Sequence, residues 1–113
     1  MSISTHILDT AIGRPAAGVP VALARLGEDN RWVMLTRMRT DADGRCRPLL
    51  PVEEPMTPGL YAIRFETETY YAAQGIEGLY PYVEITFVVE AGQAHYHIPL
   101  LLTANGYTTY RGS

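Results

Sequence analysis

The sequence contains no lysine: all nine of its basic residues are arginine. That excludes a lysine Schiff base, a P-loop lysine and a lysine general base. It holds a single cysteine, Cys46, so no internal disulfide framework can form. Serine is almost as scarce. Ser2, Ser4 and Ser113 are the only three, and none sits in a GxSxG nucleophile elbow. There is no GxGxxG loop for a dinucleotide. No apolar run approaches the roughly 20 residues that cross a bilayer, so no membrane partner is expected. The first residues, MSISTHILDT, lack both the charged region and the long apolar stretch of a signal peptide, and a cytoplasmic location is expected. The formal net charge is −3 with no basic block, which argues against a nucleic-acid partner.

What is present is alternation. The chain has 113 residues, 47% of them hydrophobic, enough for one domain spanning 1–113 with a single thin core. Apolar and polar residues alternate over 4–8, 20–26, 31–40, 45–49, 60–66, 83–90 and 95–102, and turn-forming residues separate these stretches. In the stretch 31–40, Trp32, Met34, Thr36 and Met38 fall on one side. Asp41-Ala42-Asp43-Gly44 reads as a tight turn, and a proline-rich loop follows over 51–59. Only 69–79 has helical composition, and its two glycines keep the helix short. The expected fold is all-β: an antiparallel β-sandwich of seven to eight strands with one short helix. Its edge strands carry few charges, so pairing into a symmetric assembly is expected.

Few side chains are suited to chemistry. The histidines are His6, His95 and His97. Within a strand His95 and His97 share a face, while Tyr96, Ile98 and Leu100 share the other. Imidazole titrates near neutrality and suits proton transfer to or from water. An HxH pair with a third histidine also has the donor set of a zinc site, although no carboxylate motif accompanies it. Arg45 and Arg47 share a face, with Cys46 opposite as a small core residue. Each guanidinium is a fixed cation with a planar fork of donors, fitted to a carbonyl or planar anion. Asp41–Gly44 resembles part of a calcium loop, but the later ligands are missing. Residue types alone leave open an enzyme, a metal protein and a ligand carrier.

Four blocks narrow this. STHILDT at 4–10 with GRPAAGVPV at 13–21, TDADGR at 40–45, HYHIPLLL at 95–102, and a TYRGS ending at 109–113 run through the chain. Together they resemble the 5-hydroxyisourate hydrolases, the transthyretin-like proteins of urate (purine) degradation. The resemblance implies a transthyretin-like sandwich assembled as a homotetramer, a dimer of dimers, with sites where the dimers meet. It implies hydrolysis of 5-hydroxyisourate to 2-oxo-4-hydroxy-4-carboxy-5-ureidoimidazoline, without cofactor or metal. By motif position the catalytic residues fall on His6, Arg45, His97 and Ser113, and substrate-binding residues on Tyr110, Arg111 and Gly112. His95 lies outside the set. In this reading the two imidazoles orient a water and take its proton, and Arg45 polarises the carbonyl under attack. The alternative is a transthyretin-type carrier without catalysis, but vertebrate transthyretin lacks the TYRGS ending. The chain departs from the hydrolase pattern at Gly78-Leu79-Tyr80-Pro81 and at 105–109.

Overall fold

The computed structural model describes residues 2–51 and 53–113. Residue 52, in the anticipated proline-rich loop, lies outside this set. Among the described residues nine strands and one helix are formed: β1 (Ser2–Asp9), β2 (Arg14–Pro15), β3 (Pro20–Leu26), β4 (Trp32–Arg39), β5 (Arg45–Cys46), β6 (Gly59–Phe65), α1 (Thr67–Ala72), β7 (Val83–Val89), β8 (His95–Thr103) and β9 (Gly106–Thr109). They make two sheets. The first runs β2-β1-β8-β9, with β5 also paired to β1; the second runs β4-β3-β6-β7. Because β8 lies along one edge of β1 from Ser2 to Asp9, β2 and β5 share its other edge.

The expected sandwich is present, with one exception to its antiparallel order. β1 and β8 run parallel, in register from Ser2↔His95 to Asp9↔Leu102, while the other pairings are antiparallel. Alternation explains the layering. Ile3, Thr5, Ile7 and Asp9 are buried while Ser2, Ser4, His6 and Leu8 face outward. Across the core, Tyr61, Ile63 and Phe65 of β6 are fully buried and meet Ile3, Ile7, Leu100 and Leu102. Thr5 is buried without cost because its hydroxyl donates to Ile98 O at 2.6 Å.

Several boundaries differ from the sequence expectation for physical reasons. The strand expected over 45–49 closes after Cys46, because Pro48 has no N–H to continue a ladder. The chain stays attached all the same, through Leu49 N–H to Ile3 O at 2.8 Å. The helix starts before 69, where buried Thr67 donates its hydroxyl to Tyr80 O. It ends before 75, where the chain turns at Gly75 with φ +70. Trp32, Met34, Thr36 and Met38 do not share a side. A register shift at Leu23/Ala24 pairs Met38 and Thr36 with buried Val21 and Leu23, but Met34 and Trp32 with outward-facing Ala24 and Leu26.

The turn at Asp41–Gly44 forms as expected. Asp41 Oδ1 accepts from the backbone N–H of Asp43 and of Arg45, both at 2.9 Å. Gly44 has φ +75, and a Cβ there would run into the carbonyl of Ile7. The turn delivers β5 against β1, with Arg45 opposite His6. Two substitutions test this frame. Phe65→Ala should cost about 3–5 kcal/mol. Gly44→Ala should cost more than about 1 kcal/mol, since it combines backbone strain with a clash. Urea unfolding reads both, and a Gly44→Ala protein as stable as wild type would refute the account of the turn.

Candidate active site

The outer face of the first sheet gathers most of the side chains singled out above. The parallel register sets Ser2 beside His95 and Ser4 beside His97, with His6 one step further along, opposite Arg45 on its other edge. Each serine engages its histidine: Ser2 Oγ lies 2.7 Å from His95 Nδ1, and Ser4 Oγ lies 2.8 Å from His97 Nδ1. The two pairs differ in surroundings. His95 is exposed, whereas His97 is half-buried. An open cleft of about 350 Å³ is lined by Ser4, Arg45, Arg47, His95, His97 and the last two residues, Gly112 and Ser113. The more voluminous surface clefts, of about 400, 440 and 560 Å³, contain no histidine.

The last residues reach the cleft by crossing His97. Gly112 N–H donates to His97 O at 2.8 Å. A Cβ on residue 112 would lie 2.5 Å from His97 Cδ2 and 3.2 Å from His97 O, so glycine is required by close approach rather than by an unusual dihedral. Arg111 and Tyr110 lie elsewhere. The Arg111 guanidinium stacks over the Tyr96 ring at 4.9 Å, and its Nη2 donates to Gln93 Oε1 at 3.3 Å. Both residues line a second groove of about 190 Å³, alongside Phe87, Tyr96 and Ile98. Within one chain, therefore, Arg45, His97, Gly112 and Ser113 share a cleft. His6 flanks it through Arg45, and Tyr110 and Arg111 lie on the other side of β8. Sequence reasoning passed over Ser4 as a site residue and named Arg47 only as a face-mate of Arg45. The signal for Ser4 was the same alternation that selected its neighbours, two before His6.

Electrostatics sets the protonation of this face. Burial lowers the pKa of His97, and the nearby charges of Arg45, His6 and Arg47 lower it further, partly offset by the polar backbone of Ser4, which favours the protonated ring. His97 is thus held neutral. Burial, then Asp41, pushes the Cys46 thiol up to about 11, so Cys46 is a core residue and no thiolate, despite its two arginine neighbours. Among the described residues no three His, Cys, Asp or Glu side chains are grouped to hold a metal ion.

The chain as a whole is similar to known proteins. The model of the HIUase/Transthyretin family matches residues 3–112. The mouse 5-hydroxyisourate hydrolase is 44% identical over 112 residues, covering 98% of this chain and 94% of that protein. That of Salmonella dublin is 41% identical over 111 residues, covering 98% and 80%. Among solved structures, the Klebsiella pneumoniae 5-hydroxyisourate hydrolase has a TM-score of 0.84 at 38% identity, covering 99% of this chain and 93% of its own. Sea bream transthyretin in complex with thyroxine has a TM-score of 0.92 at 29% identity, covering 99% and 95%.

The lowered pKa gives a prediction with a definite sign. In NMR titrations His97 should protonate below the ordinary histidine value of 6.5. Arg45→Met removes a positive neighbour and should move the midpoint up. Because the folded state disfavours the proton, the stability linked to His97 is complete above 6.5 and is lost as pH falls through the lowered value. A midpoint at or above 6.5 in the wild type, or a downward move in Arg45→Met, would contradict this electrostatic account.

Proposed function

The chain belongs to the HIUase/Transthyretin family, and we propose that it hydrolyses 5-hydroxyisourate at the cleft between Arg45 and His97, to 2-oxo-4-hydroxy-4-carboxy-5-ureidoimidazoline. The observation that carries the reading is a half-buried imidazole, kept neutral, in one cleft with two guanidiniums that cannot lose their charge. A neutral imidazole can take a proton from water, and a fixed cation beside it can hold a planar, partly anionic heterocycle. The 5-hydroxyisourate hydrolases of mouse and Klebsiella are relatives over nearly the whole chain.

The steps follow from these roles. A water lies between the substrate carbonyl and the imidazole pair of His97 and His6. As the water oxygen bonds to the carbonyl carbon, its proton passes to the pair, and Arg45 stabilises the oxyanion that develops. The C–N bond then breaks, the proton returns to the departing nitrogen, and the ring opens to a carboxylic acid that ionises to the carboxylate. The water oxygen and one hydrogen stay in the product, the other proton leaves to solvent, and no oxidant or second substrate is consumed. Ser113 hydrogen-bonds the substrate edge. Gly112 permits the close crossing over His97, and Tyr110 and Arg111 secure the terminal segment on which substrate binding depends.

The carrier alternative is not decided by fold. The TM-score with sea bream transthyretin exceeds that with the Klebsiella hydrolase. Identity points the other way, at 29% against 38%, and so does the polar lining of the cleft. The site also favours assembly. β4, β7 and β9 are unpaired sheet edges, and Val88 and Tyr110 are exposed at 57% and 55% beside them. We assign the working form to a homotetramer, a dimer of dimers with its sites at the dimer–dimer interface.

Two measurements test this. Freshly generated 5-hydroxyisourate should lose its absorbance much faster with the protein than without it, and a strong chelator should make no difference. His97→Ala should lower turnover about 10²–10⁴-fold and Arg45→Ala about 10²–10³-fold, while His95→Ala stays near wild type. Spontaneous rates in the presence of protein would overturn the enzyme reading, and a His95→Ala defect equal to that of His97→Ala would overturn the assignment. Sedimentation equilibrium should give a mass four times that of the 12.5 kDa chain; a monomer active at full rate would refute the interface site.

A further inference from the structure

We infer that Ser4 is a positioning residue: its hydroxyl accepts the Nδ1–H of His97 and so fixes the ring tautomer whose Nε2 lone pair faces the cleft as the base. The inference rests on the hydrolase reading and adds to it a choice of nitrogen and a residue that makes the choice.

The geometry is built into the backbone. Ser4 and His97 are register partners on adjacent parallel strands, and their side chains emerge on the same face. The contact of 2.8 Å is part-buried, so water competes for it weakly. Three edges of the ring can be accounted for. Nδ1 meets Ser4. Cδ2 lies under the crossing strand at Gly112, where even a methyl group would be too close. The Cε1–Nε2 edge remains, and among the described residues Nε2 has no hydrogen-bond partner.

A neutral imidazole carries one N–H and one lone pair, and the partner of one nitrogen decides the role of the other. A serine hydroxyl can donate or accept, so Ser4 alone leaves both tautomers open. One further feature selects one. On the other side, Arg45 and Arg47 line the cleft. Positive charge favours a ring that turns a lone pair, and not an N–H, toward it. That charge favours hydrogen on Nδ1, where Ser4 accepts it, and leaves Nε2 basic. The second pair, Ser2 with His95, repeats the contact at 2.7 Å on an exposed ring outside the proposed chemistry. It serves as an internal control.

The test reads the tautomer directly, on full-length ¹⁵N-histidine-labelled protein without substrate. At neutral pH the wild type should show Nδ1 protonated and Nε2 unprotonated at His97. Ser4→Ala should show both tautomers, and Ser4→Thr, which keeps the hydroxyl, should restore the wild-type pattern. Turnover should follow: kcat falls roughly three- to tenfold in Ser4→Ala, the worth of one neutral hydrogen bond. KM should change less than about twofold, because the lone pair acts in the chemical step. Ser2→Ala should leave both readouts at His97 unchanged. Hydrogen on Nε2 in the wild type, or an unaltered tautomer in Ser4→Ala, would overturn the inference. Were 5-hydroxyisourate not hydrolysed at all, the functional reading would fail, while the spectra would still decide whether Ser4 fixes the ring.

Discussion

The parallel ladder between β1 and β8 is the constraint on which the rest depends. Its eight register pairs join a strand near the start of the chain to one near its end. One set of side chains, Ile3, Ile7, Ile98, Leu100 and Leu102, is driven into the core. That burial fixes what the other faces present. Because strand side chains alternate, a slip of one residue would put serine and histidine inside and isoleucine outside. The cost of that exchange, several buried aliphatic side chains at about 1.5–3 kcal/mol each, is what holds Ser4 beside His97. The position of the site's principal histidine is therefore a by-product of core packing, and its precision comes from the rigid part of the molecule rather than from loops.

Charge is arranged in the same economical way. A protein without lysine has only permanent cations, apart from histidine. Arg45 and Arg47 can sit beside His97 without any risk of losing their proton to it, and they add to burial in keeping the imidazole neutral. A lysine in either place could shed its charge when desolvated and would weaken both effects at once. The short turn before β5 supplies the first of these cations by local means. Asp41 caps the backbone N–H groups of Asp43 and Arg45, and Gly44 allows the chain to pass close to Ile7. Sequence-distant segments thus meet at one face, each held there by its own local hydrogen bonds.

Much of this was legible in the sequence, and the reasons for the rest are specific. Alternation gave β3, β6, β7 and β8 nearly residue for residue, because each has one buried face. It failed in β4, where a register shift at Leu23/Ala24 reverses the facing of Trp32 and Met34 relative to Thr36 and Met38. A bulge is a property of the pair of strands, and neither strand's pattern contains it. β9 was missed because its residues, Gly106 to Thr109, are mostly exposed and carry no apolar period. The parallel pairing of β1 with β8 could not be read at all, since periodicity gives faces but not neighbours. For the same reason the Ser4–His97 contact was invisible: it joins residues 93 apart, and only register brings them together.

The likeness to transthyretin bears on where function resides in this fold. A chain can match a thyroxine-binding transthyretin with a TM-score of 0.92 and yet be closer in sequence to a hydrolase. The two sheets and their core answer to packing alone, so they persist whatever the outer face does. In the hydrolase reading proposed above, the chemistry rests on a handful of outward side chains on β1, β5 and β8, together with a glycine small enough to let the last residues cross over His97. None of these contributes much to the core. They can be exchanged for apolar residues at little cost in folding, which on that reading would leave a cleft that binds and does not react. The polar identity of that face, against the weak demands of stability, is itself the argument that chemistry and not packing has shaped it.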